Sequence, residues 1–303
     1  MYDVVVIGAG PAGISAAIYA TSRGLNTLVI EKEEVGGTLG KVSTVSHYTA
    51  LIENESGATF AKRMREQAYA AGVEIRYEKV IETALSSKIK VITTADNCYE
   101  AKAIIIANGT TPRKLDIPGE EKLTGKGYGM NAAKDAEKYR NKNVYVIGGA
   151  DGAIKEALYL AEFARKVTIV HFEDQLATIH EFAHKIKQKD NIDVLLHTRL
   201  HEVIGEEEIN TIIFIDEHTK AIQEVKDCGC GIFVYAGATP NSEVFMDVAQ
   251  EDGFIITNDK METNIAGVYG AGDICKKQVR QAATAIADGA IAAINATNYI
   301  KIF

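Results

Sequence analysis

Three glycines and one carboxylate near the start of the chain have the types and spacing to hold a dinucleotide. An apolar run of strand character over residues 2–7 leads into Gly8-Ala9-Gly10-Pro11-Ala12-Gly13, and Ala-rich helical sequence follows from 12 to about 23. In a strand–turn–helix unit, Gly8 permits the tight turn and Gly10 lets a pyrophosphate approach the backbone. Gly13 lets helix and strand pack, and the helix N-terminus faces the phosphates. A second strand, 26–30, ends at Glu31, the expected distance on for an acid that hydrogen-bonds a ribose hydroxyl.

The same unit occurs twice. Strand-like sequence from Asn143 leads to Gly148-Gly149-Ala150-Asp151-Gly152-Ala153, continues as helix to 165 and returns as a strand over 166–171, with Gly148 standing 140 residues after Gly8 (148 − 8). Here Ala150 stands in place of the second glycine, adding a methyl where a pyrophosphate would approach. Prolines in Thr110-Thr-Pro-Arg-Lys-Leu-Asp-Ile-Pro118 and in Ala238-Thr-Pro-Asn241 mark two hinge crossings. They predict an α/β chain of two Rossmann-like, three-layer nucleotide-binding domains, the second inserted in the first. The first covers 1–116 plus 245–303 and the second 117–244. Residues 73–94 and 98–107 read as short strands of the first domain, and the final helix, 280–298, reads as buried on one side.

Composition agrees with two globular domains. The chain has 303 residues, 47% of them hydrophobic and 24% charged. A net charge of -8 disfavours nucleic acid as main partner, because phosphate binding needs a basic face. A strand beginning at Tyr2 leaves no room for a targeting peptide, and no apolar run is long enough to span a bilayer, so a cytoplasmic address without membrane association is expected. The four cysteines, Cys98, Cys228, Cys230 and Cys275, read as thiols.

Taken together, residues 8–13, Glu31, Gly36-Gly37-Thr38-Leu39, Ala107-Asn108-Gly109, Gly237 with Pro240-Asn241, Gly270-Ala-Gly272-Asp273 and Arg280-Gln281-Ala282 resemble, in order, the low-molecular-weight thioredoxin reductases, two-domain FAD enzymes. The resemblance runs over nearly the whole chain. It implies a homodimeric FAD oxidoreductase in which Asp273 holds the ribityl chain. The helix starting near Gln281 and Ala282 would then face the flavin's pyrimidine edge, where a helix N-terminus stabilises the charge of reduced flavin. The FAD-binding set so implied is Gly8, Gly10, Pro11, Ala12, Gly13, Glu31, Lys32, Gly37, Thr38, Leu39, His47, Val80, Ala107, Asn108, Gly109, Gly272, Asp273, Arg280, Gln281 and Ala282. A second nucleotide set is Gly148, Gly149, Ala150, Asp151, Gly152, Ala153 and Glu173.

Three departures from the family pattern redirect the expected chemistry. The family's reacting Cys-x-x-Cys follows a Gly-x-x-Tyr run, whereas Gly125-Lys-Gly-Tyr128 leads here into Gly129-Met-Asn-Ala132, and no cysteine lies between Cys98 and Cys228. Flavin-to-disulfide transfer by the family's route is then chemically closed. The family's His-Arg-Arg run, which pairs with the 2′-phosphate of NADPH, reads His171-Phe172-Glu173-Asp174, and carboxylates repel a phosphate and suit a free ribose diol. NADH, a second FAD and an empty inserted domain stand as alternatives to NADPH. Lys276, Lys277 and Arg280 cluster after Asp273, a spot able to steer an acidic carrier of ferredoxin or flavodoxin type. Electron exchange with such a carrier, or with a second flavin, leads. An NADH-dependent flavin, quinone or small-molecule reductase and a non-catalytic flavin redox sensor are the alternatives.

Other motifs carry less. Cys228 and Cys230 are the only close thiol pair, a candidate for redox work although a disulfide across one residue would be strained, and Cys275 is a single candidate thiol near the flavin edge, with ordinary buried or loop thiols as the alternative. His47 stands where the family places a polar residue near the flavin, either to tune or protonate reduced flavin or to serve in packing. His180-Glu-Phe-Ala-His184 matches a zinc-protease pattern, but no third ligand follows; it reads as a solvated helix face, and no metal is expected.

Overall fold

The structure is a computed structural model describing residues 1–303. The chain divides into two compact units. Met1–Lys41, Val45–Thr111 and Thr239–Phe303 form the first, and Val42–Thr44 with Pro112–Ala238 form the second. The first unit runs β1 (Tyr2–Ile7), α1 (Pro11–Thr21), β2 (Thr27–Glu31), α2 (Gly57–Ala70), β3 (Glu74–Tyr77), β4 (Val80–Ala84), β5 (Lys90–Thr94) and β6 (Cys98–Ile106). The chain leaves it through β7 (Thr110–Pro112) and passes through α3 (Glu120–Leu123), α4 (Ala132–Asp135), β8 (Asn143–Ile147), α5 (Asp151–Leu160), β9 (Lys166–Val170) and α6 (His180–Lys187). Next come β10 (Ile192–Leu195), β11 (Thr198–Gly205), β12 (Ile209–Asp216), β13 (Ile222–Lys226) and β14 (Gly231–Val234). The return is β15 (Ala238–Pro240), then β16 (Gln250–Glu251), β17 (Phe254–Ile255), β18 (Val268–Gly270) and α7 (Ala282–Lys301).

In the first unit the sheet order is β3-β2-β1-β6-β5-β4, with β18 also paired to β6. β6 is long because its two halves serve different neighbours. Residues 98–101 pair antiparallel with β5, and 104–106 pair parallel with β18. Val4, Val5, Val6, Ile104, Ile105 and Ile106 are fully buried, the continuous apolar run of a parallel strand covered on both faces. Each buried isoleucine contributes about 2 kcal/mol. Small residues let helices close on this sheet: a Cβ at Gly289 of α7 would lie 2.1 Å from the Ala12 carbonyl oxygen of α1, and Ser15 Oγ donates to the Ile286 carbonyl at 2.7 Å.

The second unit has a parallel sheet, β10-β9-β8-β14, and an antiparallel meander, β11-β12-β13. Alternate residues of β8 face different layers. Val144 and Val146 pack with Ile154, Ala157 and Leu160 of α5, while Tyr145 and Ile147 pack with Leu200, Val203, Ile212 and Phe214 of the meander. The chain changes unit at 111–112 and 238–239, a few residues before the positions read from the prolines. Packing accounts for this: Leu115 and Ile117 lie on the second unit's core, whereas Val244, Phe245 and Val248 lie in the first unit's.

Candidate functional site

A cradle forms at the C-terminal end of β1, with β2 and β6 on either side, the point in an open α/β sheet where a crevice must open. Gly8, at φ +103°, donates its N–H to the Ile30 carbonyl at 2.8 Å, and a Cβ on it would lie 2.5 Å from the Ala107 carbonyl oxygen. At Gly13 a Cβ would lie 1.8 Å from the Gly8 oxygen, so the strand–helix approach excludes any side chain. At Gly10 a Cβ would meet nothing within 4 Å. Gly10 is also the N-cap of α1, with Pro11 in the first turn and no side chain capping it, so open space lies against free backbone donors. Ala12 is buried in this first turn. The buried Glu31 carboxylate accepts from the Ala9 N–H at 2.7 Å and the Glu33 N–H at 2.8 Å, which aims its remaining lone pairs. Lys32 beside it is exposed. The Gly36 N–H reaches the Ala9 carbonyl at 2.9 Å and a Cβ on Gly37 would lie 3.3 Å from the Gly10 Cα; Thr38 and Leu39 follow, the latter opening a short 3-10 turn.

Other segments of the same unit carry the remaining expected residues. The Ala107 N–H bonds the Ile7 carbonyl, and Asn108 and Asn241 exchange side-chain-to-backbone bonds of 2.7 and 2.8 Å, followed by Gly109 at φ +61°. Val80 is half-buried, opens β4 opposite Thr94 and packs against the core. His47 is exposed at φ 57°. Gly272, at φ +81°, donates its N–H to Asp288 Oδ2 at 3.0 Å, and Lys277 Nζ reaches the same oxygen at 2.5 Å. Sequence reading missed Asp288; its signal was an acid in the first half of an otherwise apolar Ala-rich helix. Asp273 Oδ1 is buried and has no partner in the protein. Burial pushes this carboxyl up, while Lys277 and Arg280 pull it back. Gln281 is the N-cap of α7, whose first turn holds no acid to offset the positive end of the helix.

The cations after Asp273 all have partners. Lys276 pairs with Glu251 at 2.8 Å and Asp252 at 2.9 Å, Lys277 with Asp288, and the Arg280 guanidinium stacks 4.2 Å over the Phe254 ring.

The second cradle has the same frame and different fittings. The Gly148 N–H bonds the Val170 carbonyl at 2.9 Å, as Gly8 bonds Ile30, so His171 occupies the place of Glu31. Its ring lies 2.5 Å from a Cβ built on Gly149, its Nε2 is 3.2 Å from Glu173 Oε2, and its Nδ1 is buried without a partner. Ala150 is the N-cap of α5 and forms a β-bridge with Ala177, while Asp151 accepts from the Thr178 hydroxyl and the Ile179 N–H. Gly152 and Ala153 continue the first turn, Ala153 being buried where the first cradle has Gly13. The sequence also gave no hint of buried Glu156, which accepts from the Ser43 N–H at 3.1 Å and lies 3.7 Å from Lys155 Nζ; burial pushes its carboxyl up.

No cysteine is bonded to another. Cys230 and Cys275 are buried, and burial pushes both thiols up to about 12, so neither supplies thiolate at neutral pH. Cys228 and Cys98 are exposed. On α6, His180 and His184 stack at 6.3 Å, and His184 is hydrogen-bonded to Gln188.

Twin Rossmann-like units, the first with an open glycine cradle, a buried carboxylate fixed by two N–H groups and an orphaned buried carboxylate oxygen, make up the frame of a dinucleotide-binding protein. The model of the pyridine nucleotide-disulphide oxidoreductase family matches residues 2–289, and the chain belongs to that family. It is 39% identical to a thioredoxin reductase of Peptoclostridium acidaminophilum, covering 99% of this chain and 98% of that protein. The crystal structure of Lactococcus lactis thioredoxin reductase matches with a TM-score of 0.96 at 36% identity, covering 100% of both chains. A ferredoxin-flavin thioredoxin reductase from Clostridium acetobutylicum matches with a TM-score of 0.55 at 28% identity, covering 100% of this chain and 99% of that one. The chain is therefore a thioredoxin reductase-like, FAD-dependent oxidoreductase. No helix is long and apolar enough to cross a membrane.

FAD fits the first cradle on two observations. The space at Gly10 admits a pyrophosphate against free N–H groups, and the unpartnered Asp273 Oδ1 is an acceptor for a ligand hydroxyl.

Proposed function

We propose that the chain exchanges electrons between FAD and a separate protein carrier of the ferredoxin or flavodoxin class, with no dithiol of its own in the path. The observation that carries this reading is Gly129-Met-Asn-Ala132, which has no thiol. Instead Asn131 caps α4, its side chain accepting the Lys134 N–H at 3.1 Å. A relative of the same fold that is a ferredoxin-flavin enzyme supports the carrier class. FAD, when bound, would accept electrons singly or as a pair, so its full reduction takes two equivalents of a one-electron carrier. Backbone N–H groups after Gly10 hold its pyrophosphate, Glu31 orients the adenosine ribose, Asp273 takes a ribityl hydroxyl, and the α7 N-terminus offsets negative charge. Attraction for the carrier does not rest on Lys276 and Lys277, which are paired with acids, whereas Arg280, stacked on the neutral Phe254 ring, keeps its charge. The working form is a homodimer, as the family resemblance implies.

NADPH is a poor donor in this reading, because Ala150 crowds the pyrophosphate position and Glu173 and Asp174 oppose a 2′-phosphate. Anaerobic mixing with a reduced ferredoxin bleaches the flavin, whereas NADPH bleaches it slowly or not at all; fast stoichiometric bleaching by NADPH overturns the proposal. The exposed Glu173 carboxylate favours a second reading, an NADH-dependent reductase. Bleaching by NADH that disappears in Glu173→Ala selects it. One FAD released per chain on denaturation is expected, and two would make the second cradle a flavin site.

A further inference from the structure

We propose that Asp174, His197 and His218 form a binding site for a divalent transition-metal ion of the zinc class. The three come from segments distant in sequence: Asp174 follows β9, His197 lies between β10 and β11, and His218 lies in the β12–β13 hairpin. Their donor atoms nonetheless converge within 4.8 Å of one another. His197 Nδ1 lies 3.0 Å from Asp174 Oδ1, His218 Nε2 lies 3.6 Å from that oxygen, and the two ring nitrogens share a hydrogen bond of 2.6 Å. A tetrahedral ion with ligand bonds of about 2.0–2.1 Å sets its donors about 3.3–3.4 Å apart. The observed separations straddle that value, so adjustments of under about one ångström complete the geometry.

The backbone around the cluster is held. His197 sits at φ 51°, a left-handed conformation costly for a side chain, with its N–H on the Glu173 carbonyl at 3.3 Å and its own carbonyl taking the Glu217 N–H at 2.6 Å. The His218 N–H bonds Asp216 Oδ1 at 3.0 Å. Two imidazoles with one carboxylate suit zinc, copper or nickel more than magnesium or calcium. Asp174 and His218 side chains are 81% and 63% exposed, leaving the outer coordination positions to water. The bound ion pins the end of β9, beside Glu173, to the meander. His180 and His184, the pair with the familiar sequence spacing, gather no third ligand of this kind.

Zinc binding to the chelator-treated, FAD-loaded full chain tests the site by calorimetry, with cobalt substitution as a spectroscopic readout. One ion per chain binds at micromolar zinc. His218→Ala and His197→Asn each weaken it at least about tenfold, the loss of one ligand's share. Asparagine is chosen at 197 because it tolerates the left-handed backbone. Cys98→Ser/Cys228→Ser keeps full affinity, and the cobalt form shows no thiolate charge-transfer band. Unchanged affinity in His218→Ala, binding lost with the cysteines, or no saturable binding below millimolar zinc would each overturn the site. Equal zinc-free melting of His218→Ala and the parent chain confirms that any loss is local.

Discussion

The two cradles share a frame to the residue, Gly8 on Ile30 and Gly148 on Val170, yet they are fitted with different side chains. In the first, Gly10 is bare, Gly13 admits the helix, and the Glu31 carboxylate is fixed by two N–H groups at the end of β2. In the second those places hold Ala150, Ala153 and His171, whose ring lies over Gly149. A Rossmann frame therefore persists on backbone hydrogen bonding while the side chains that face its crevice change.

Exchanging those fittings tests the comparison. Gly13→Val has the largest expected effect: with a Cβ 1.8 Å from a carbonyl oxygen, the change costs about 3 kcal/mol or more. The purified protein then carries no flavin by absorbance, whereas Ala153→Gly leaves flavin content unchanged.

Asp273→Asn comes next, weakening FAD binding about 10- to 100-fold in equilibrium titration, the worth of a hydrogen bond to a charged group. Its pH behaviour separates binding from folding. Because burial raises the native carboxyl, the flavin-free native state holds this proton more tightly than the unfolded chain. Stability is then full below the ordinary carboxyl range and falls as pH rises through the raised value. The asparagine variant lacks that fall, so flavin-free Asp273→Asn melts no lower than the parent at pH 8. Lower melting would mean that Asp273 is structurally paired.

Glu31→Gln follows, with about a tenfold loss of FAD affinity, since an amide accepts the Ala9 N–H but holds ribose hydroxyls less strongly. Ala150→Gly has the smallest effect. It removes one methyl and leaves His171 and Glu173, so the Kd for NADPH shifts less than about tenfold in a fluorescence titration.

Local chemistry made much of this legible. The glycine fingerprints, Glu31, the altered Ala150 and the thiol-free 129–132 run were visible because each is a short motif with a steric or redox meaning. Non-local contacts were not. Lys276 and Lys277 read as free positive charge because their acids, Glu251, Asp252 and Asp288, lie elsewhere in the sequence. Hinge prolines marked the crossings, but packing claimed Leu115 for the second core and Val244 for the first. His197 and His218 meet only because β12 pairs with both β11 and β13.

The burial of Cys230 and Cys275 also bears on how the protein ages under oxidants. Peroxides and alkylating agents attack thiolates, and with both these thiols pushed up to about 12, attack is confined to the exposed Cys98 and Cys228. On the proposed reading, with the flavin as the sole redox centre, activity would outlast oxidant exposure that over-oxidises a resident cysteine pair.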